Sequence, residues 1–285
     1  MKAGTSAQPS VVITGGTRGI GYGLAKAFLA RGASVVISGR TSAAVEAAAG
    51  RIEADSRANS EAAANGQGRG GRLLGTVCDV RDYESVRGLW EFAESALGQV
   101  DIWINNAGLG QSQSDIEGLD AGLINEIFST NCSGALFGSK VALTGMKKRG
   151  SGAVYNMEGL GSKGGLIRGM TAYGASKRAL AYITDSLAKE AAGSGLIVGA
   201  LMPGMTVTDL ITKEYEGRPD EWAKVRKIFN ILSDTVDTVA PWLVDSMLRN
   251  RRNGARIVWL TGGKAAWRFL SSPFVKRSPY PASMG

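Results

Sequence analysis

The chain of 285 residues contains no histidine and only two cysteines, Cys78 and Cys132, which stand far apart. Without histidine there is no His-ligated metal site, no Cys–His nucleophile pair and no Ser–His–Asp triad. No metal site of any other composition is read from the sequence. Two distant thiols make no disulfide framework and suit a reducing compartment such as the cytoplasm. No apolar run reaches the ~18–20 residues needed to span a bilayer. Met1–Ser10 is too short and polar to read as a secretory signal. Acidic residues are missing from one region: from Ser246 onward there are eight Lys or Arg and no Asp or Glu, so the preceding chain balances and the net charge of +8 sits in this terminal stretch. That stretch also carries Trp259, Trp267, Phe269, Phe274 and Tyr280. It reads either as a solvated terminus with a few aromatics packed on the body, or as a patch in peripheral contact with an anionic membrane. So local a charge, with no recognition module, gives no reason to expect a nucleic-acid partner.

What the chain does have is alternation. Short β-branched runs at Val11–Thr14, Val35–Ser38, Leu73–Cys78, Ile102–Ile104, Ala153–Asn156, Ile197–Met202 and Ile257–Leu260 are separated by helical patterns. Strands that alternate with helices predict a mostly parallel seven-stranded sheet covered on both faces, a single doubly wound Rossmann-type α/β domain over residues 1–262. Ser56–Arg72, rich in Gly, Ala and Asn, reads as a surface loop. Residues 206–234 read as a helical flap over the carboxyl edge of the sheet, where ligands bind. Residues 263–285 form a basic, aromatic tail.

The first strand runs into Thr14-Gly15-Gly16-Thr17-Arg18-Gly19-Ile20-Gly21 and then a helix. Glycines there let the backbone turn tightly and approach a pyrophosphate, and the helix N-terminus favours its charge. Gly15, Thr17, Arg18, Gly19, Ile20 and Gly21 are therefore candidate dinucleotide ligands. An acid at the end of the second strand would bind the ribose hydroxyls of NAD, but here the strand ends Ser38-Gly39-Arg40. Arg40 and Arg18 suit a 2′-phosphate instead, so the expected cofactor is NADPH/NADP+. Asp79 and Val80, after the third strand, stand where an adenine would be held. Asn106, Ala107 and Gly108 close the fourth strand beside the expected cofactor position.

Tyr173 and Lys177 lie four residues apart in a helical pattern, so both project from one face. A phenol beside an ammonium is a proton donor, and the positive charge is expected to lower the phenol's pKa. With histidine absent, this pair is the one complete catalytic constellation legible in the chain.

The glycine turn, Asn105–Gly108, Asn131, the Tyr173/Lys177 pair and Pro203-Gly204 follow in order, and in this order the chain resembles the short-chain dehydrogenase/reductase family over essentially its whole length. The resemblance implies that Tyr173 gives a proton to a carbonyl oxygen while the nicotinamide gives hydride to the carbon. It implies that Lys177 holds the nicotinamide ribose, that Asn131 serves a water relay to Lys177, and that Pro203, Gly204, Thr206 and Thr208 hold the carboxamide end. Homo-oligomers are also implied.

One family residue is missing. About fourteen residues before the tyrosine the family places a serine, and here that position is Gly159. Either Ser162 curls back to the same spot, or Tyr173 alone steers the carbonyl. The run Asn156-Met157-Glu158-Gly159-Leu160-Gly161-Ser162 resembles the Asn-Met-Asp-Gly-Ala-Gly-Ser run of chlorophyll b reductases of the non-yellow-colouring type, with Glu158 and Leu160 as departures. Asp101–Ile104, Pro203–Met205, Thr208–Leu210, Phe229–Leu232 and Trp259–Thr261 extend the likeness. That resemblance implies NADPH-dependent reduction of the 7-formyl group of chlorophyll b or chlorophyllide b. The sequence shows no plastid transit pattern, so a plastid location is expected only for a form from which it has been cleaved. Other readings are a reductase of another large lipid-like or steroid-like carbonyl, and a binding protein that senses NADP(H) without turnover.

Overall fold

A computed structural model describes residues 8–62, 71–208, 215 and 217–280. The seven strands are β1 (Ser10–Ile13), β2 (Ser34–Gly39), β3 (Leu73–Val77), β4 (Ile102–Asn105), β5 (Gly152–Met157), β6 (Leu196–Met202) and β7 (Arg256–Val258). They form one sheet in the order β3-β2-β1-β4-β5-β6-β7, and every pairing is parallel. Parallel strands need crossovers, and helices supply them: α1 (Gly19–Leu29), α2 (Ser42–Ala62), α3 (Tyr83–Leu97), α4 (Ala121–Phe128), α5 (Gly134–Lys147), α6 (Thr171–Glu190), α7 (Pro219–Leu232) and α8 (Val236–Arg249), while α9 (Gly262–Ser271) follows β7. The doubly wound α/β architecture expected from the alternation is therefore present, with the sheet wholly rather than mostly parallel.

Because successive side chains in a strand point to opposite faces, each strand feeds two cores. Val11 and Ile13 join Leu24, Phe28, Leu243 and Val244 under α1 and α8. Val12 and Trp103 join Leu89, Trp90, Val141 and Met146 under α3 and α5. Both faces of β1 and β4 are buried, which is why these strands read as unbroken apolar runs.

The strand order reverses between β1 and β4, and this switch point opens a crevice at the carboxyl ends of the two strands. The Gly-rich turn leaves β1 there and the Asn105–Gly108 turn leaves β4. The hydroxyl of Thr14 accepts hydrogen bonds from the backbone N–H groups of Asn106 and Ala107, both at 3.1 Å, and so joins the two turns.

The expected loop over Ser56–Arg72 is partly a helix. α2 continues through Ala62, since an alanine- and glutamate-rich run propagates a helix through Asn59 and Ser60; residues 63–70 lie outside the described residues. Within the expected flap, Pro219–Leu232 is helical, with Pro219 in the first turn where its missing N–H costs nothing. Residues 209–214 and 216 lie outside the described residues. The basic tail begins within helix α9, and its last described residue, Tyr280, is only 1% exposed, against Trp222, Phe229 and Tyr215; residues 281–285 lie outside the described residues.

Candidate active site

Three glycines shape the turn between β1 and α1. Gly15 has φ +63°, and a Cβ there would lie 2.8 Å from the Cα of Ala107. A side chain on Gly21 would overlap the Asn106 amide, which donates to the carbonyls of Thr14 and Gly15 at 2.9 and 3.0 Å. Gly19, with φ +55°, would bring its Cβ to 3.5 Å from the methyl of Thr208, so the segment after β6 returns over the turn. α1 begins with no side-chain cap and no acid in its first turn. A helix N-terminus left open in this way, above a backbone only glycine fits, is the cradle a pyrophosphate requires. Ile20 is half-buried beside it, and Thr17 lies against Gly39 at the end of β2.

Arg18 and Arg40 are exposed on this side. The Asp79 carboxylate is held by Arg81, with Nη2 at 2.6 Å and Nε at 3.0 Å from both oxygens. The hydrogen bonds from Arg81 hold that carboxyl below the usual carboxylate range, and the charge of Arg40 adds to the effect. Arg81 was not singled out from the sequence. Val80 is buried and packs against Gly134. Pro203 and Gly204 follow β6; Gly204 takes φ +72°, Thr206 is buried, and the hydroxyl of Thr208 donates to the carbonyl of Thr206 at 3.4 Å.

The structure brings Tyr173, Lys177, Asn131, Gly108 and Gly159 together. A Cβ on Gly159 would stand 2.9 Å from the Tyr173 hydroxyl and 3.7 Å from Lys177 Cε. A Cβ on Gly108 would stand 3.4 Å from Asn131 Oδ1 and 3.6 Å from Lys177 Nζ. Asn131 sits in a single π-helical turn, Ser129–Ser133, between α4 and α5. Its side chain is fully used: Oδ1 accepts from the N–H of Leu109 at 2.8 Å, and Nδ2 donates to the carbonyl of Leu109 and the hydroxyl of Ser176, both at 2.9 Å.

Ser162 is buried, and its hydroxyl points into the main chain. It accepts from the Gly159 N–H at 3.1 Å and donates to the Lys177 carbonyl at 3.3 Å. Its proton is thus directed at helix α6, and the loop it closes presents Gly159 to the phenol.

The charges differ from the sequence expectation in one respect. Burial pushes the Tyr173 phenol up to about 12 rather than down. Burial likewise pushes Lys177 down to about 8. The ammonium is turned to the Met157 carbonyl, to which it donates at 2.9 Å, and lies 5.7 Å from the centre of the Tyr173 ring. Desolvation, which disfavours both charged forms, therefore outweighs their mutual effect. Tyr173 is firmly protonated at neutral pH, the state a proton donor needs.

Several positioning contacts between distant segments carried no local signal. Gln111 accepts the backbone N–H of Tyr173 at 2.8 Å and donates to the Gly169 carbonyl at 2.7 Å, capping α6 from 62 residues away. Asn105 donates to Asn156 at 2.8 Å, and Asn156 donates to Thr184 on α6 at 3.0 Å. This buried polar chain ties β4, β5 and the catalytic helix into one unit. Glu158 is 2% exposed, its carboxyl is raised by burial, and Arg256 lies 3.5 Å from it and opposes that shift.

The chain matches the short chain dehydrogenase family over residues 9–219, and it belongs to that family of oxidoreductases. The nicotinamide cofactor of the family fits the glycine cradle described above.

Among its relatives is "Chlorophyll(ide) b reductase NOL, chloroplastic" of Oryza sativa subsp. japonica, 34% identical over 272 residues that cover 92% of this chain and 74% of that protein. "Probable chlorophyll(ide) b reductase NYC1, chloroplastic" of the same plant is 34% identical over 256 residues, 88% of this chain, which spans only 50% of that protein's length. Beyond plants, D-beta-hydroxybutyrate dehydrogenase of Cupriavidus necator is 31% identical over 73% of this chain and 75% of its own. Among solved structures, 3-ketoacyl-(acyl-carrier-protein) reductase from Brucella melitensis, complexed with NADH, superposes with a TM-score of 0.73 at 25% identity, covering 90% of this chain and 98% of that one. Among the described residues no helix is long and apolar enough to cross a membrane.

Proposed function

We propose that this oxidoreductase reduces a formyl or keto group on a bulky hydrophobic substrate with NADPH, and that the substrate is the 7-formyl group of chlorophyll b or chlorophyllide b. The observation that carries the reading is the bare backbone at Gly159. Where the family's serine would stand there is no side chain, and the backbone comes within a methyl group's reach of the Tyr173 hydroxyl. No serine hydroxyl then stands between a flat macrocycle and the phenol that its formyl oxygen must meet. The loop that carries Gly159 into α6 exposes Leu160 (41%), Leu166 (96%) and Ile167 (49%), an apolar lip suited to such a substrate. Relatives named chlorophyll(ide) b reductase are 34% identical to this chain over 88% and 92% of its length.

In this reading each residue has a defined task. When bound, the nicotinamide supplies hydride to the carbonyl carbon. Tyr173 donates its proton to the developing alkoxide, so an aldehyde becomes a hydroxymethyl group with atoms and charge balanced. Lys177 binds the nicotinamide ribose and passes the replacing proton to Tyr173, which its pKa near 8 allows. Asn131 holds the Leu109 turn and Ser176 so that α6 keeps its position. Pro203, Gly204, Thr206 and Thr208 hold the carboxamide end. Arg40 and Arg18 would hold a 2′-phosphate and so favour NADPH over NADH, since no acid closes β2. Asp79 and Val80 bound the adenine. The reaction takes place in a reducing compartment beside pigment-bearing membranes, the chloroplast in the relatives so named. Assembly as a homo-oligomer belongs to the same reading.

The test is incubation of the purified chain and NADPH with chlorophyll b, chlorophyllide b and a panel of hydrophobic ketones and aldehydes. Conversion of the pigment's absorption to that of the 7-hydroxymethyl product supports the reading. Turnover of the ketones alone reassigns the substrate, and NADPH binding without turnover of anything makes the chain a cofactor sensor.

A further inference from the structure

Helix α9 is amphipathic with its apolar side facing outward. Trp267, Leu270 and Phe274 recur at i, i+3 and i+7 along α9 and the turn after it, and they are 69%, 73% and 89% exposed. The opposite side is the polar one. Arg268 donates to the Leu232 carbonyl at 2.8 Å and to Asp234 at 2.7 Å, while Lys264 lies 3.0 Å from the centre of the Trp259 ring. An ordinary surface helix does the reverse.

The arrangement is fixed in place. Asp234 accepts from Arg268, Arg277 and the indole N–H of Trp259, and Tyr280 seals the end of the segment in an aromatic cluster with Trp222 and Phe229. α9 also packs on α7, the helix of the flap. The apolar stripe is therefore held outward by a clamp of ion pairs, and it does not arise from a loose end.

What covers it follows from charge and length. No acid occurs from Ser246 to the end of the chain, and exposed Lys276 borders Phe274 and Val275. A second copy docked stripe to stripe would bring this cation against its own copy across a two-fold axis. An anionic surface complements it. Ten residues of helix are far too short to span a bilayer but long enough to lie in its interface, with aromatic side chains at the headgroup boundary.

We propose that α9 is a membrane-docking helix, which lays Trp267, Leu270 and Phe274 into the headgroup–acyl boundary of an anionic lipid membrane. Through α7 and the Asp234 clamp, docking sets the substrate flap at the lipid surface.

The test is flotation of the full-length chain with phosphatidylcholine vesicles containing about one-third phosphatidylglycerol, and with phosphatidylcholine alone, in the absence of any pigment. The chain is expected to float with the anionic vesicles and to be released by salt. Replacing Trp267, Leu270 and Phe274 together by Ser should lower partitioning at least about thirtyfold, since each side chain contributes apolar burial. Lys276→Glu should lower it about tenfold while leaving NADPH binding and the thermal melt unchanged. Failure of the unaltered chain to float, or equal flotation of the triple variant, overturns the proposal. So does an oligomer that ignores vesicles and dissociates in the triple variant, because the stripe would then be a self-association face. With pigment absent, these outcomes are independent of whether chlorophyll b is the substrate.

Discussion

Replacing Gly159 by Ala adds one methyl group at the point the account depends on. Gly159 does not have positive φ, so alanine suits its backbone, and the conflict is confined to the side chain. The added Cβ would stand 2.9 Å from the Tyr173 hydroxyl, with Lys177 Cε next at 3.7 Å. Ordinary van der Waals contact begins near 3.4 Å, so the phenol must give way by roughly 0.5 Å. A 1 Å misplacement of a reacting group costs on the order of a hundredfold, so half of that predicts about a tenfold fall in kcat. Overpacking should also destabilise the fold by about 1 kcal/mol, at the low end because the site opens to the crevice. The pyrophosphate cradle is untouched, so the Kd for NADPH should stay within about twofold. Steady-state reduction of the accepted carbonyl, with fluorescence titration of NADPH and a thermal melt, separates the three effects. Unchanged kcat on a bulky substrate would refute the reasoning, as would a fall explained entirely by lost NADPH binding.

Other perturbations read other parts of the site. Arg40→Asp should lower kcat/KM for NADPH by about a hundredfold or more and improve NADH, because it removes a phosphate partner and adds a repelling charge; an unchanged cofactor ratio would sink the phosphate assignment. Lys177 titrates near 8 in the folded chain against 10.5 as its ordinary value, so between those values the unfolded state holds more protons and stability rises with pH. Lys177→Met should abolish that rise, worth about 3 kcal/mol in full, and its window is clearest from pH 8 to 10 because the raised Tyr173 opposes it above pH 10. Difference melts across that range check the sign; a rise that survives the substitution belongs to another group. Ser162→Ala removes two main-chain hydrogen bonds and should cost about 1–2 kcal/mol of stability with kcat changed less than about threefold. A loss of kcat of a hundredfold with the melt unchanged would instead make Ser162 the substitute for the absent serine.

The features legible in the sequence were those carried by local pattern. Val11–Ile13 and Ile102–Ile104 are buried on both faces, so continuous apolar runs identified them; the glycine turn and the Tyr173/Lys177 spacing are likewise local. The end of α2 was misjudged because Asn and Ser suggested a loop where the surrounding alanines carry the helix on to Ala62. What was not legible depends on contacts between distant segments. Gln111 caps α6 across 62 residues, and Asn105, Asn156 and Thr184 meet only because β4, β5 and α6 are neighbours in space. The direction of the Tyr173 shift was hidden for a similar reason. Spacing places Lys177 on the same face, but whether its charge or the loss of water decides the phenol's pKa depends on how deeply the pair is buried. The outward-facing stripe of α9 was readable as an aromatic, basic segment, whereas its orientation rests on Asp234 reaching Arg268 and Arg277.

The central claim is that Tyr173 protonates the oxygen of a pigment formyl group as NADPH reduces it. Single-turnover conversion of chlorophyllide b, followed by absorption with the NADPH-loaded chain and with its Tyr173→Phe variant, tests this directly. The account predicts 7-hydroxymethyl product from the unaltered chain, and from the variant a rate at least about a thousandfold lower with NADPH affinity preserved. Product formed equally fast by Tyr173→Phe, or no spectral change with the unaltered chain, would contradict it.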